Sequence, residues 1–244
     1  MTTLGCRQGG YGAPFMKNTD FTPALGLPGL TGSYDLAIRL LTRETVWRSE
    51  LLRQVAPHNN ETIIDVGCGT GTFALMLKRA APGARITAID PDPHVLALAR
   101  KKAEAAGIEI AWRQGFARDV AGLGGSYDKA VSSLVFHQVP LAGKREGVAA
   151  MFASIRPGGE VHIADYAHQS GALMRALFRL TVQAIDGLAD TQPNADGALE
   201  SILSDYDEAA VAPQAVVPTA TGAISLFKAI RPIQNNCDTF AERA

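Results

Sequence analysis

An α/β fold built on a parallel sheet is predicted by three features of this sequence. Apolar runs of strand length alternate with helix-length segments from residue 61 to residue 165. The first run, Ile63 to Val66, enters a bend with glycine at alternate positions, Gly67, Gly69 and Gly71. The next run ends at Asp90, nineteen residues beyond Gly71. Glycine lacks a Cβ and tolerates positive φ, so such a bend brings bare backbone to a ligand. An acid at the end of the following strand is placed to accept hydrogen bonds from ribose hydroxyls. Together they describe a site for a nucleoside cofactor.

The elements follow in order. Residues 1–32 are rich in Gly and Pro and form a flexible segment or a lid, with Tyr11, Phe15 and Phe21 as its aromatics. Ser33 is a candidate cap for one or two helices over 34–56, where Leu36 and Leu40, then Trp47, Leu51 and Val55, recur at spacing four. A strand over 61–66 leads to a helix over 71–81, stopped by Pro82-Gly83. A strand over 85–89 leads to a helix over 93–106, closed by Gly107. A strand over 108–112 precedes a short helix near 116–122, and a strand over 127–133 precedes a helix over 141–155. Arg156-Pro157-Gly158-Gly159 closes that helix before a strand over 160–165. Residues 170–190 read as helical, 190–194 as a loop and 198–204 as a helix. Two β-rich runs, 210–217 and 223–230, flank a turn at 218–222 and form a terminal hairpin. The polar tail over 232–244 is expected to fray. The main domain thus spans 33–231, with 170–209 as a possible substrate cover.

Composition narrows the function. With 244 residues the chain holds one large α/β domain. Its formal net charge of −1 supplies no basic field for nucleic acid or anionic lipid, which favours a small-molecule protein. Three scattered cysteines, Cys6, Cys68 and Cys237, make neither a disulfide framework nor a metal site. Cys68 reads as a small filler inside the bend, with no base beside it in sequence. No signal peptide and no apolar run of membrane-spanning length is visible, so a cytoplasmic location is expected.

The motifs resemble those of class I S-adenosylmethionine-dependent methyltransferases. The carriers are Asp65-Val66-Gly67-Cys68-Gly69-Thr70-Gly71, Ala88-Ile89-Asp90-Pro91-Asp92, Tyr127-Asp128-Lys129-Ala130-Val131-Ser132-Ser133-Leu134, and Arg156-Pro157-Gly158-Gly159 with Ala164-Asp165. The nearest flavour is that of the ubiquinone and menaquinone biosynthesis methyltransferases, over residues 33–231. The resemblance implies a Rossmann-like three-layer α/β/α sandwich whose seven strands run in the order 3-2-1-4-5-7-6, strand 7 antiparallel, with an N-terminal helical extension. It also implies S-adenosyl-L-methionine as cofactor, S-adenosyl-L-homocysteine as product and a small-molecule acceptor. By motif matching, Gly67, Cys68, Gly69 and Gly71 approach the methionine part, Asp65 meets its amino end, and Asp90 with Pro91 meets the ribose. Phe116 stands where many relatives carry an Asp, so its main chain and ring, with Ala117, are expected at the adenine. Ser132 lines the methionine part through its backbone and Tyr34 covers the cofactor. The spacing Gly-x-Gly-x-Gly is one residue too short for a dinucleotide dehydrogenase.

Methyl transfer needs alignment above all, and a base where the nucleophile is a hydroxyl or an acidic carbon. His137, just after strand four, is the candidate base and substrate contact, with His168 and Phe178 as further substrate contacts. A cofactor-binding protein without transfer, or another reaction on this scaffold such as a pericyclic or decarboxylating step, is the competing class.

Overall fold

Glu44–Val55 forms the first helix, α1, of a computed structural model that describes residues 42–233. The expectations for residues 1–32, for Tyr34 and for the tail beyond 233 lie outside the described residues. β1 (Thr62–Val66), α2 (Thr72–Ala80), β2 (Arg85–Asp90), α3 (Pro93–Ala105), β3 (Ala111–Gln114), β4 (Tyr127–Ser133), α4 (Leu141–Ser154) and β5 (Ile155–Tyr166) then alternate. Short 3-10 turns at Ala117–Leu123 and Phe136–Gln138 flank β4. Four short helices follow, α5 (Ala172–Leu180), α6 (Val182–Asp186), α7 (Leu188–Ala195) and α8 (Ala198–Ser204). A 3-10 turn at Glu208–Val211 then leads to the hairpin β6 (Ala215–Thr219) and β7 (Gly222–Ile230).

The seven strands lie in the order β3-β2-β1-β4-β5-β7-β6, as expected. β1 to β5 are parallel and β7 runs antiparallel to β5 and β6. The order reverses between β1 and β4, so the carboxyl ends of those two strands open a crevice. Alternation along β1 divides the core. Ile63 packs with Trp47, Leu51, Phe73 and Leu77, whereas Ile64 packs with Phe136, Val148, Met151 and Phe152. Residues Trp47, Leu51 and Val55 make the buried stripe of α1, as their spacing predicts. α3 is capped by Asp92, whose carboxylate accepts the His94 N–H at 2.8 Å, with Pro93 at its first turn.

Four expectations need correction. β3 is Ala111–Gln114 rather than 108–112, because Ile108 is spent closing α3, its N–H reaching the Ala103 carbonyl at 2.9 Å. The Pro157-Gly158-Gly159 turn does not precede strand five but interrupts it as a bulge between the Tyr127–Ile155 and Lys129–Glu160 pairs. Residues 190–194 are helical, within α7; Pro193 sits inside that helix. Packing of Thr191, Asn194 and Ala195 into the interior overrides the loop-like composition. The helical stretch over 170–190 is broken at Thr181 and again at Gly187, whose φ is 85°.

Candidate active site

The glycine bend is shaped by left-handed backbone at Gly67 (φ 71°), Gly69 (φ 51°) and Gly71 (φ 74°). The three glycines serve different ends. A Cβ at Gly67 would stand 2.3 Å from Val135 Cγ2, and one at Gly71 would stand 2.5 Å from Trp112 Cη2. Those two are glycine because neighbouring side chains occupy the space. At Gly69 nothing lies within 4 Å of the added Cβ, so this residue faces an opening. Thr70, Pro91, Gly115, Phe116, Ala117, Leu134 and Val135, all in the segments that follow β1 to β4, are half-buried. These segments leave the carboxyl ends of the strands, where the topology places a ligand crevice.

Two carboxylates serve this crevice. Asp90 ends β2; its Oδ2 accepts the Gly69 N–H at 2.8 Å and its Oδ1 accepts the Asp92 N–H at 2.9 Å. Burial raises its pKa, and the two backbone donors counter part of that rise. Asp65 is wholly buried, and no hydrogen bond of ordinary geometry reaches either carboxylate oxygen among the described residues. Burial pushes its carboxyl up to about 7; Arg48 opposes the rise, Asp90 adds to it, and the nearby Ala74 N–H lowers it least of all. A buried carboxylate so thinly supported is costly, so this one suits a cation or a further donor. Cys68 is buried, and burial with the nearby Asp65 and Asp90 charges raises its thiol pKa steeply. It fills space and is no nucleophile.

The remaining cofactor-side residues are placed as follows. Phe116 is half-buried at the rim; its N–H is tied to Asp119 Oδ2 at 2.8 Å, and Arg118 stacks 4.4 Å from its ring centroid. Asp119 thus caps a 3-10 turn, and Ala117 begins that turn beside the crevice. The Ser132 hydroxyl is fully buried and donates to the Val66 carbonyl at 2.9 Å, so its side chain ties β4 to β1 and does not line a cavity. The strand end just beyond it carries strain, for Leu134 has φ 55°.

His137 lies under the cover instead of facing the crevice freely. Asp165 is the hub of this region. Its Oδ2 accepts the Val135 and Phe136 N–H groups at 3.0 and 2.6 Å, and its Oδ1 accepts the Tyr166 N–H at 2.8 Å. The same Oδ1 meets His137 Nδ1 at 2.7 Å, and His137 Nε2 lies 3.5 Å from Asp186 Oδ2 on α6. Burial alone disfavours the imidazolium, but the two carboxylates outweigh it and hold the ring's pKa at about 9. At neutral pH the ring is therefore charged, bonded to Asp165 and within ion-pair reach of Asp186. Phe178 lies inside the core. It is fully buried against Tyr166, with ring centroids 5.2 Å apart, because α5 turns this residue inward and leaves Leu173 and Leu180 outside. His168 is exposed at the edge of a separate cavity.

Some members of the site escape a linear reading. Val135, which blocks Gly67, follows no motif. Lys144 is fully buried and donates to the Phe136 carbonyl and, at 2.9 Å, to the Asp190 carbonyl, joining the β4 loop to α7. Its spacing of three and four to Gly147 and Val148 is the signal that it shares their inward face.

The order of the strands, the glycine bend and Asp90 agree with the Rossmann-like methyltransferase fold that the resemblance implies. Residues 63–159 match the family model described as a methyltransferase domain. It is 31% identical over 154 residues to a demethylmenaquinone methyltransferase of Deinococcus radiodurans, covering 62% of this chain and 63% of that one. A protein of the same name from Thermus thermophilus is 29% identical over 154 residues, covering 62% and 69%. The first match thus spans just under two thirds of that relative's length. Among solved structures, magnesium protoporphyrin IX methyltransferase (ChlM) from Synechocystis PCC 6803 superposes with a TM-score of 0.59 at 17% identity, covering 84% of this chain and 90% of that one. That likeness is one of fold. No helix among the described residues is long and apolar enough to cross a membrane.

Proposed function

We propose that the chain binds S-adenosylmethionine and transfers its methyl group to a small-molecule acceptor, in the cytoplasm. The observation that carries the reading is Asp65, a buried carboxylate that no hydrogen bond of ordinary geometry reaches, behind a bend that is open at Gly69. The cofactor's ammonium group fits that need, directly or through a water. Asp90, already at the crevice, would exchange the Gly69 N–H for the ribose hydroxyls, which an acceptor-only carboxylate suits. Phe116 and Ala117 offer a ring face and main chain at the adenine end. The demethylmenaquinone methyltransferases among the relatives support a ring-bearing small molecule as acceptor.

When bound, this cofactor supplies a methyl group activated on a sulfonium, whose departing thioether is neutral. The protein's work is then alignment and exclusion of water. Val135 and Leu134 form the wall beside Gly67, held in place by the Asp165 carboxylate. His137, paired with Asp165 and within reach of Asp186, fixes this loop beneath α6.

Calorimetric titration with S-adenosylhomocysteine, followed by mass spectrometry of an acceptor panel with S-adenosylmethionine, tests the reading. Wild type should bind, and Asp90→Ala should weaken binding by roughly tenfold to a hundredfold, the ~1.5–3 kcal/mol of hydrogen bonds to a charged group. No uptake by wild type, or an Asp90→Ala variant that binds equally well, would falsify it.

A further inference from the structure

The loop between β4 and α4, residues 134–140, carries the wall beside the glycine bend. Val135 packs so closely on Gly67 that a Cβ there would stand 2.3 Å from its Cγ2. Two buried side chains divide the main chain of this loop between them. Asp165 collects its donors, accepting the Val135 N–H at 3.0 Å and the Phe136 N–H at 2.6 Å. Lys144 collects its acceptors: Nζ donates to the Phe136 carbonyl and, at 3.4 Å, to the His137 carbonyl. It also donates to the Asp190 carbonyl on α7 at 2.9 Å. An ammonium has three N–H donors, and here all three go to main chain.

Lys144 is a costly group to place here. It is fully buried, and burial lowers its pKa to about 8 although Asp165 and Asp190 favour its charge. An apolar side chain of similar length would fill the same space without that penalty. What an apolar side chain cannot do is hold carbonyls from the β4 loop and from α7 at one point. The loop it holds is strained: Leu134 has φ 55°, a conformation that persists only where its surroundings impose it.

We propose that Lys144 is a positioning residue. Its ammonium sets how far Val135 stands over Gly67, and hence the width of the site at the cofactor's methionine end, and it ties that setting to the seat of α7. Lys144 itself touches no ligand. Placing the methionine end at Gly67 rests on the methyltransferase reading.

Calorimetry of the full chain with two ligands tests this. S-adenosylhomocysteine carries the amino-acid end, whereas 5′-methylthioadenosine shares its adenosine and thioether and lacks that end. Lys144→Met, which keeps the length and loses the charge, should weaken S-adenosylhomocysteine by about fivefold to tenfold and leave methylthioadenosine within about twofold. Val135→Ala, which enlarges the same wall, should show the same selectivity, and in its background Lys144→Met should add little. Lys144→Gln retains two donors on a shorter arm and should fall between wild type and Lys144→Met; it carries the test if the Met variant does not fold. A general loss of structure would weaken both ligands together. Equal loss of both, or no loss of either, overturns the positioning role and leaves the methyltransferase reading standing on wild-type binding. A wild-type chain that takes up neither ligand overturns that reading, and this assignment with it.

Discussion

Asp65 and Asp90 are two carboxylates at the carboxyl ends of adjacent strands, and their surroundings give them opposite tasks. Asp90 has two backbone donors in hand; Asp65 is fully buried behind the bend, with only the Ala74 N–H near it. With its folded pKa raised from 3.8 to about 7, Asp65 lowers stability increasingly as pH climbs through that interval, because the folded state holds its proton longer. A bound ammonium would reverse the preference. Affinity for S-adenosylhomocysteine should therefore rise between pH 5.5 and 7.5, and Asp65→Asn should flatten the rise; calorimetry at several pH values checks this. The glycines separate in the same way. Gly71→Ala should lower stability by about 1–3 kcal/mol in urea unfolding, since its Cβ would strike Trp112. Gly69→Ala has space and should cost only the backbone strain of about 1 kcal/mol, yet it should weaken cofactor binding.

At the level of elements, the cover α5–α8 is held to the sheet by the buried side chains of Phe178, Val182, Ala195, Leu199, Ile202 and Leu203 and by polar contacts beside them. His137 meets Asp186, Lys144 meets the Asp190 carbonyl, and Asn194 donates to the Tyr166 carbonyl at 2.6 Å. His137 has a folded pKa of about 9 against an ordinary 6.5, so its stabilising contribution is complete below pH 6.5 and is lost as pH rises through 9. Lys144 acts with the opposite sign: burial lowers it to about 8, so its penalty is relieved as pH climbs above that value. The clean window is thus pH 6.5 to 8. Across it, the wild-type melting temperature should fall more steeply than that of His137→Gln, whose Gln carries no charge; thermal unfolding at matched ionic strength measures the difference. The elements themselves were legible where one signal dominated, as in the apolar stripe of α1 or the Asp92-Pro93 start of α3. They were misread where packing decided, as in α7, whose Thr, Gln, Pro and Asn look like a loop until Thr191 and Asn194 are seen buried.

For the whole molecule, the central strands β1, β4 and β5 are covered on both faces, whereas β3 is a short edge strand with Ala111, Arg113 and Gln114 exposed. Amide hydrogen exchange should follow that order, with β1 and β4 protected longest and β3 opening first; equal protection across the sheet would contradict it. The sequence by itself determined the alternating architecture, the glycine bend and the acid beyond its neighbour. Those features are local, set by hydrophobic period, by the steric freedom of glycine and by short fixed separations along the chain. Only the tertiary structure decided what His137 does and which glycine faces the ligand. It also decided that the Glu200 carboxylate accepts the His168 N–H, 32 residues away in the chain. Each of those facts depends on groups brought together from distant parts of the chain, and a side chain's charge and exposure are set by its neighbours in space, not by its neighbours in sequence.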